Sequence, residues 1–153
     1  MRIGVPRESR PGERLVSASP KTVGQLCALG YDVVVQAGAG ALASFADEAY
    51  LAAGAKIGDV ETVWASDVVT CVAPPATIPA MAPGATLVAM MGPGGHPELV
   101  SELAERGVTG MALDAVPRIS RAQAPDALSP LSTVPRSRPV TEAPHAAAGL
   151  FTG

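Results

Sequence analysis

Three groups of residues in this chain have types and spacings that could do chemistry. The first is Gly38-x-Gly40-x-x-Ala43, which follows the β-branched run Val33–Val35, with Asp59 about twenty residues further on. Glycines so spaced let backbone N–H groups approach a pyrophosphate, and a carboxylate at that remove can accept from a ribose hydroxyl. The second group is basic: Arg7, Arg10 and Arg14 near the start, Arg118 and Arg121 near the end. Two such loops converging on an otherwise acidic body would suit an anion, a phosphate or a carboxylate, although solvated surface arginines would look the same. The third is the pair Cys27 and Cys71, which sit in apolar surroundings and read as buried thiols in a reducing compartment. With two His and two Cys, widely separated, metal-ligand spacing is lacking.

The elements that must position these groups follow from hydrophobic periodicity. Runs at 2–5, 31–36, 67–73, 85–91 and 108–114 predict five strands. Between them, helices are predicted from Ser19 (N-cap) and Pro20 to Gly30, over 45–54, over 59–65 and over 96–107, the last ending at Gly107. In the first of these, Val23, Leu26, Cys27 and Leu29 form the apolar stripe. Alternation of strand and helix implies an α/β fold with a doubly wound, mostly parallel sheet, Rossmann-like or flavodoxin-like, in a single domain. Near-continuous apolar strands such as 67–73 fit strands covered on both faces. On this layout the glycine motif falls after the second strand and after a complete helix, and the next helix begins only near Ala46. A dinucleotide fingerprint belongs in the first strand-to-helix turn, so the motif reads better as a structural turn.

Composition narrows the function classes. The chain has 153 residues, 48% hydrophobic and only 3% aromatic, so its core is built from Ala, Val and Leu. A net charge of −3 argues against non-specific nucleic-acid binding. The N-terminal stretch lacks the apolar run of a signal peptide, and nowhere do 18 apolar residues run uninterrupted. Residues 130–153 stand apart. Pro125, Pro130, Pro135, Pro139 and Pro144 recur through the last thirty residues, and each proline inside a helix costs about 3 kcal/mol. The expected division is a domain over 1–129 and a proline-rich, loosely ordered tail over 130–153.

Three stretches occur in one order and spacing: "MRIGVPRES" at the start, "VQAGAGALASFADEAYLAAGA" at 35–55 and "VPRISRAQ" at 116–123. Together they resemble the N-terminal domain shared by alanine dehydrogenases and the alpha subunit of proton-translocating NAD(P) transhydrogenase. "PRISRAQ" followed by "DALS" (Asp126–Ser129) is similar to the transhydrogenase branch. Where alanine dehydrogenases hold their keto acid with an Arg, a Lys and a His, the matching positions here are Leu15, Ala73 and Gly92, none of which can hold a carboxylate or donate a proton. His96 is displaced into the start of a helix.

The resemblance implies an oxidoreductase component that works with NAD(H) and NADP(H). Hydride transfer between the two nicotinamides would be coupled to proton translocation. NAD(H) would be held mainly by a second domain that this chain lacks, and NADP(H) by a partner subunit. Arg118, Gln123, Asp126 and Ser129 match the loop that reaches the nicotinamide end, and no catalytic acid, base or nucleophile is implied. Implied partners are the remaining transhydrogenase domains and subunits, a membrane subunit among them, and a second copy in a homodimer. The implied place is cytoplasmic, peripheral at the inner face of the plasma membrane. Residues 130–153 resemble the start of an inter-domain linker helix interrupted by prolines. The alternatives are a truncated, non-catalytic interaction module of the same fold and, further off, an oxidoreductase of the alanine dehydrogenase type.

Overall fold

The structure, a computed structural model, describes Met1–Ala115. Its first compact unit is Met1–Ala112; of the second, which begins at Leu113, the described residues are the 3-10 turn Leu113–Ala115. The predicted tail over 130–153 lies outside the described residues.

In the first unit, six strands alternate with four helices: β1 (Arg2–Val5), α1 (Pro20–Ala28), β2 (Asp32–Gln36), α2 (Asp47–Ala52), β3 (Lys56–Gly58), α3 (Val60–Trp64), β4 (Val68–Thr70), β5 (Thr86–Ala89), α4 (Pro97–Glu105) and β6 (Thr109–Ala112). All strand pairs are parallel and the order across the sheet is β3-β2-β1-β4-β5-β6. This is the doubly wound order expected of alternating strands and helices. Five strands were predicted, and the sixth is β3. Its three residues contain one apolar side chain, Ile57, too little periodicity to register in sequence, and pairing with β2 through Val34↔Lys56 and Val35↔Ile57 makes it a strand.

Helix ends follow the sequence signals. Ser19 caps α1 by accepting from the Thr22 N–H at 3.3 Å, with Pro20 at the first turn, where its missing N–H costs nothing. At the other end Gly30, at φ +90°, lets Tyr31 N–H return to the Leu26 carbonyl, which satisfies an end that would otherwise be orphaned. Leu29, placed by periodicity in the apolar stripe, is instead 73% exposed, because the helix has already ended at Ala28.

Two cores form, one on each face of the sheet. Ile3, Val5, Val33 and Val35 pack with Val23 of α1 and Tyr50 of α2, whose hydroxyl donates to the Ala18 carbonyl at 2.9 Å. On the opposite face Val69, Leu87 and Ala89 pack with Trp64 of α3 and Leu103 of α4. The connection from β4 to β5 carries no helix, and Ile78, Met81 and Ala85 of this loop fill the second core instead. Arg106 fixes the loop by donating to the carbonyls of Ile78 (2.9 Å) and Pro79 (3.3 Å) while paired with Glu102 at 2.7 Å. Coverage of both faces, expected from the apolar strands, holds for β1 and β2. Along β4 and β5 the described residues cover one face less fully: Val68 packs against the first core but, like Thr70 and Val88, is only half-buried. No helix among the described residues is long and apolar enough to cross a membrane.

Candidate functional site

A crevice opens at the carboxyl ends of β1 and β4, the neighbouring strands from which the chain winds in opposite directions. Such switch points part the loops and leave room for a ligand. This one holds a cavity of about 420 Å³. Pro6, Arg7, Glu8 and Ser9 line it from the loop after β1, Cys71, Ala73, Pro75 and Pro79 from the loop after β4, with Gln36, Val60 and Trp64 closing the side.

Glu8 ties the two loops together. Its carboxylate accepts from the Val72 N–H at 2.6 Å and the Ala73 N–H at 3.2 Å. Beside it the Gln36 side-chain oxygen accepts from the Arg7 N–H at 2.9 Å, and the Ser17 hydroxyl donates to the Thr70 carbonyl at 2.6 Å. Burial pushes the Glu8 carboxyl above its ordinary value; the two amide bonds oppose this, the Glu13 charge adds to it and Arg10 lowers it. The Cys71 thiol is pushed up to about 12, by burial first and then by Glu8. A thiol held there is protonated at neutral pH and is no nucleophile. Cys71 is buried as expected, whereas Cys27 is only half-buried.

Arg7, Arg10 and Arg14 are exposed on the loop over this crevice. Arg118 and Arg121 lie outside the described residues, and β6, the strand before them, is three strands from β1, about 14 Å at ordinary spacing. Of the positions matching the keto-acid ligands, Ala73 lines the crevice and Leu15 is 44% exposed. His96 stands at the start of α4, exposed, with its Nδ1 3.1 Å from Glu98 Oε1. Among the described residues no group of three or more His, Cys, Asp or Glu side chains comes together that could hold a metal ion.

The glycine motif is a packed turn. Gly38, at φ +72°, gives its N–H to both oxygens of Asp47, at 3.0 and 3.1 Å. With Glu48 next to it in the first turn of α2, two carboxylates stand where a phosphate would have to sit. A methyl group on Gly40 would lie 2.7 Å from the Phe45 carbonyl oxygen and 2.7 Å from the Tyr50 ring, so this glycine is required by close packing. Asp59, the supposed ribose ligand, caps α3 by accepting from the Thr62 N–H at 2.8 Å.

Arg118, Gln123, Asp126 and Ser129 lie outside the described residues. Glu8, Gln36 and Trp64 are site residues that sequence reasoning missed. The available signal was Glu8 itself, a carboxylate three residues past the first strand, at the edge where α/β sheets bind ligands.

Comparison with known proteins places these features. The family profile described as "Alanine dehydrogenase/PNT, N-terminal domain" matches residues 4–135. The NAD(P) transhydrogenase subunit alpha of Haemophilus influenzae is 47% identical over 155 residues, covering 100% of this chain and 30% of that protein. A solved transhydrogenase from Sinorhizobium meliloti superposes with a TM-score of 0.85 at 34% identity, over 95% of this chain and 44% of that one. A solved L-alanine dehydrogenase reaches a TM-score of 0.73 at 30% identity, over 80% and 35%. The chain therefore spans less than half the length of each of these relatives.

Proposed function

Since the chain belongs to the alanine dehydrogenase/PNT N-terminal domain family, we propose that it is the NAD(H)-side component of a proton-translocating NAD(P) transhydrogenase, completed by a second nucleotide-binding domain. The observation that carries the reading is 47% identity to a transhydrogenase subunit alpha along the whole chain. The crevice supports it. Where an alanine dehydrogenase-type site would need cationic and imidazole side chains, this one has Ala73 on its wall, with Leu15 and Gly92 at the other matching positions.

The described residues do not fit the nucleotide at the glycine turn, whose amide is already taken by Asp47. The donor set of Arg118, Gln123, Asp126 and Ser129 fits it better. A guanidinium, an amide, a carboxylate and a hydroxyl can hold a carboxamide and ribose hydroxyls by directional hydrogen bonds. When bound, the nicotinamide supplies the hydride chemistry; these residues align its ring, a task that calls for position and no acid or nucleophile. NADP(H) sits on a partner subunit in this reading, and the assembly works at the inner face of the plasma membrane as a dimer of this component.

The test is to put this chain in place of the matching stretch of the Sinorhizobium meliloti transhydrogenase, add an NADP-binding partner subunit, and measure single-turnover hydride transfer from NADH to an NADP analogue. Arg118→Ala and Asp126→Ala are expected to slow transfer by roughly tenfold to a hundredfold each, as loss of one charge-assisted hydrogen bond implies, and Gln123→Ala, whose amide is neutral, by roughly twofold to tenfold, with a smaller change in NADH affinity. Unaltered rates in all three variants refute the loop assignment. No transfer by the unmutated protein favours a non-catalytic module of the same fold.

A further inference from the structure

The backbone just past β4 presents two amide donors side by side. Cys71 still lies along β5, its N–H donating to the Val88 carbonyl at 3.1 Å. The strand has ended at Thr70, however, and the next two N–H groups, of Val72 and Ala73, turn to one and the same carboxylate. Consecutive N–H groups that converge in this way form an anion site. Pro74 and Pro75 follow. Neither has an N–H to add, and each restricts the backbone of the residue before it, so the two donors are held in place on the crevice wall.

Glu8 reaches this pair from 64 and 65 residues away. Its loop is anchored two residues earlier by Pro6, which is fully buried. Asp47 brings both of its oxygens to a single N–H, that of Gly38. Glu8 instead divides its oxygens, Oε1 to Val72 at 2.6 Å and Oε2 to Ala73 at 3.2 Å, as a bound carboxylate ligand would.

We propose that the Val72–Ala73 amide pair is a receptor for a small carboxylate which the chain fills with its own Glu8, so that Glu8 closes the crevice to free carboxylic acids. Tethering decides the competition. A carboxylate held on a fixed loop of the same chain meets the amides at an effective concentration far above that of a free solute. A free acid of acetate's size, held by two N–H bonds, binds only at roughly 10–100 mM. The proposal goes beyond the transhydrogenase reading, and hydride transfer does not enter its test.

Glu8→Ala removes one methylene and the carboxylate, the equivalent of acetate, so acetate is the probe. Amide NMR of the 153-residue chain reads Val72 and Ala73 directly. In Glu8→Ala both resonances should move saturably with acetate, half-way at roughly 10–100 mM. Sodium chloride at equal ionic strength and neutral acetamide should leave them in place. Wild type should need about tenfold more acetate or show no shift at all. Equal responses in wild type and variant overturn the proposal, because the amides are then not filled by Glu8. So does a variant whose amides ignore acetate, or answer acetamide equally. Wild type supplies a second measurement that holds even where Glu8→Ala fails to fold. Arg10 and Glu13 act on Glu8 by charge, and the Cys71 thiol stays protonated up to about 12. Through the acid range Val72 and Ala73 should therefore share one inflection above 4.5, that of Glu8, while Leu15, whose N–H donates to Glu13 at 2.8 Å, reports Glu13 separately. Val72 and Ala73 resonances that stay still through this range overturn the proposal.

Discussion

Glu8 is the residue on which the crevice depends, and its environment sets a definite pH behaviour. Its carboxyl is pushed up, by burial above all, from an ordinary value of 4.5. The folded state therefore binds that proton more tightly than the unfolded state does. Its contribution to stability is fully present below pH 4.5 and is lost as pH rises through the folded value. Glu8→Gln removes this titration and also replaces one of two acceptor oxygens by a donor facing an N–H, a cost of about 1 kcal/mol. Urea unfolding from pH 4 to pH 8 should show wild type more stable than the variant at the acid end, with the gap narrowing as pH rises. A gap independent of pH would mean that Glu8 is not the group that titrates. Asp32, Asp59 and Glu98, each lowered, titrate alike in both proteins and cancel from the difference.

Among the elements, the turn between β2 and α2 shows how a motif's spelling and its physics can part. Its glycines are present because Gly38 takes a left-handed backbone and Gly40 is pressed against Phe45 and Tyr50. Gly40→Ala must displace the Tyr50 ring or the Phe45 backbone, and overpacking of this kind costs about 1–3 kcal/mol. A lowered urea midpoint is the expected outcome, with NADH affinity of the completed protein unchanged. A variant of full stability that binds NADH less tightly would restore the cradle reading. The helices were legible for a simple reason: Ser19 with Pro20 at one end of α1 and Gly30 at the other are short-range signals, satisfied within a few residues of chain. β3 was illegible because nothing in Lys56–Gly58 specifies a strand until β2 lies beside it.

At the scale of the whole molecule, the described residues leave the glycine turn unfit for a pyrophosphate. The glycine turn has spent its amide on Asp47, and the loop proposed to contact the nicotinamide contributes only a few hydrogen bonds. Calorimetry on the 153-residue chain alone should accordingly show no saturable NADH binding in the micromolar range. Micromolar binding would place a cofactor site in this domain and overturn the division of labour proposed above.

Family and fold class could be read from the chain directly. Strand and helix signals are local, and "PRISRAQ" with "DALS" is a contiguous string whose meaning does not depend on knowing what it packs against. The turn reading of Gly38-x-Gly40 also came from order along the chain, and the structure supplied its cause in Asp47. Three findings needed the sheet assembled. Glu8 bridges to Val72 and Ala73, partners 64 and 65 residues away, and no spacing rule announces a contact of that range. Cys71 was read as buried from sequence, but the Glu8 charge that adds to burial in raising its thiol is brought beside it by the β1–β4 pairing. Val88 and Leu87 are equally apolar, yet only Leu87 is fully buried, because strand alternation sends them to opposite faces and coverage of each face is set by the hand of the crossovers. Hydrophobicity says that a side chain favours burial; topology determines whether the described chain provides it.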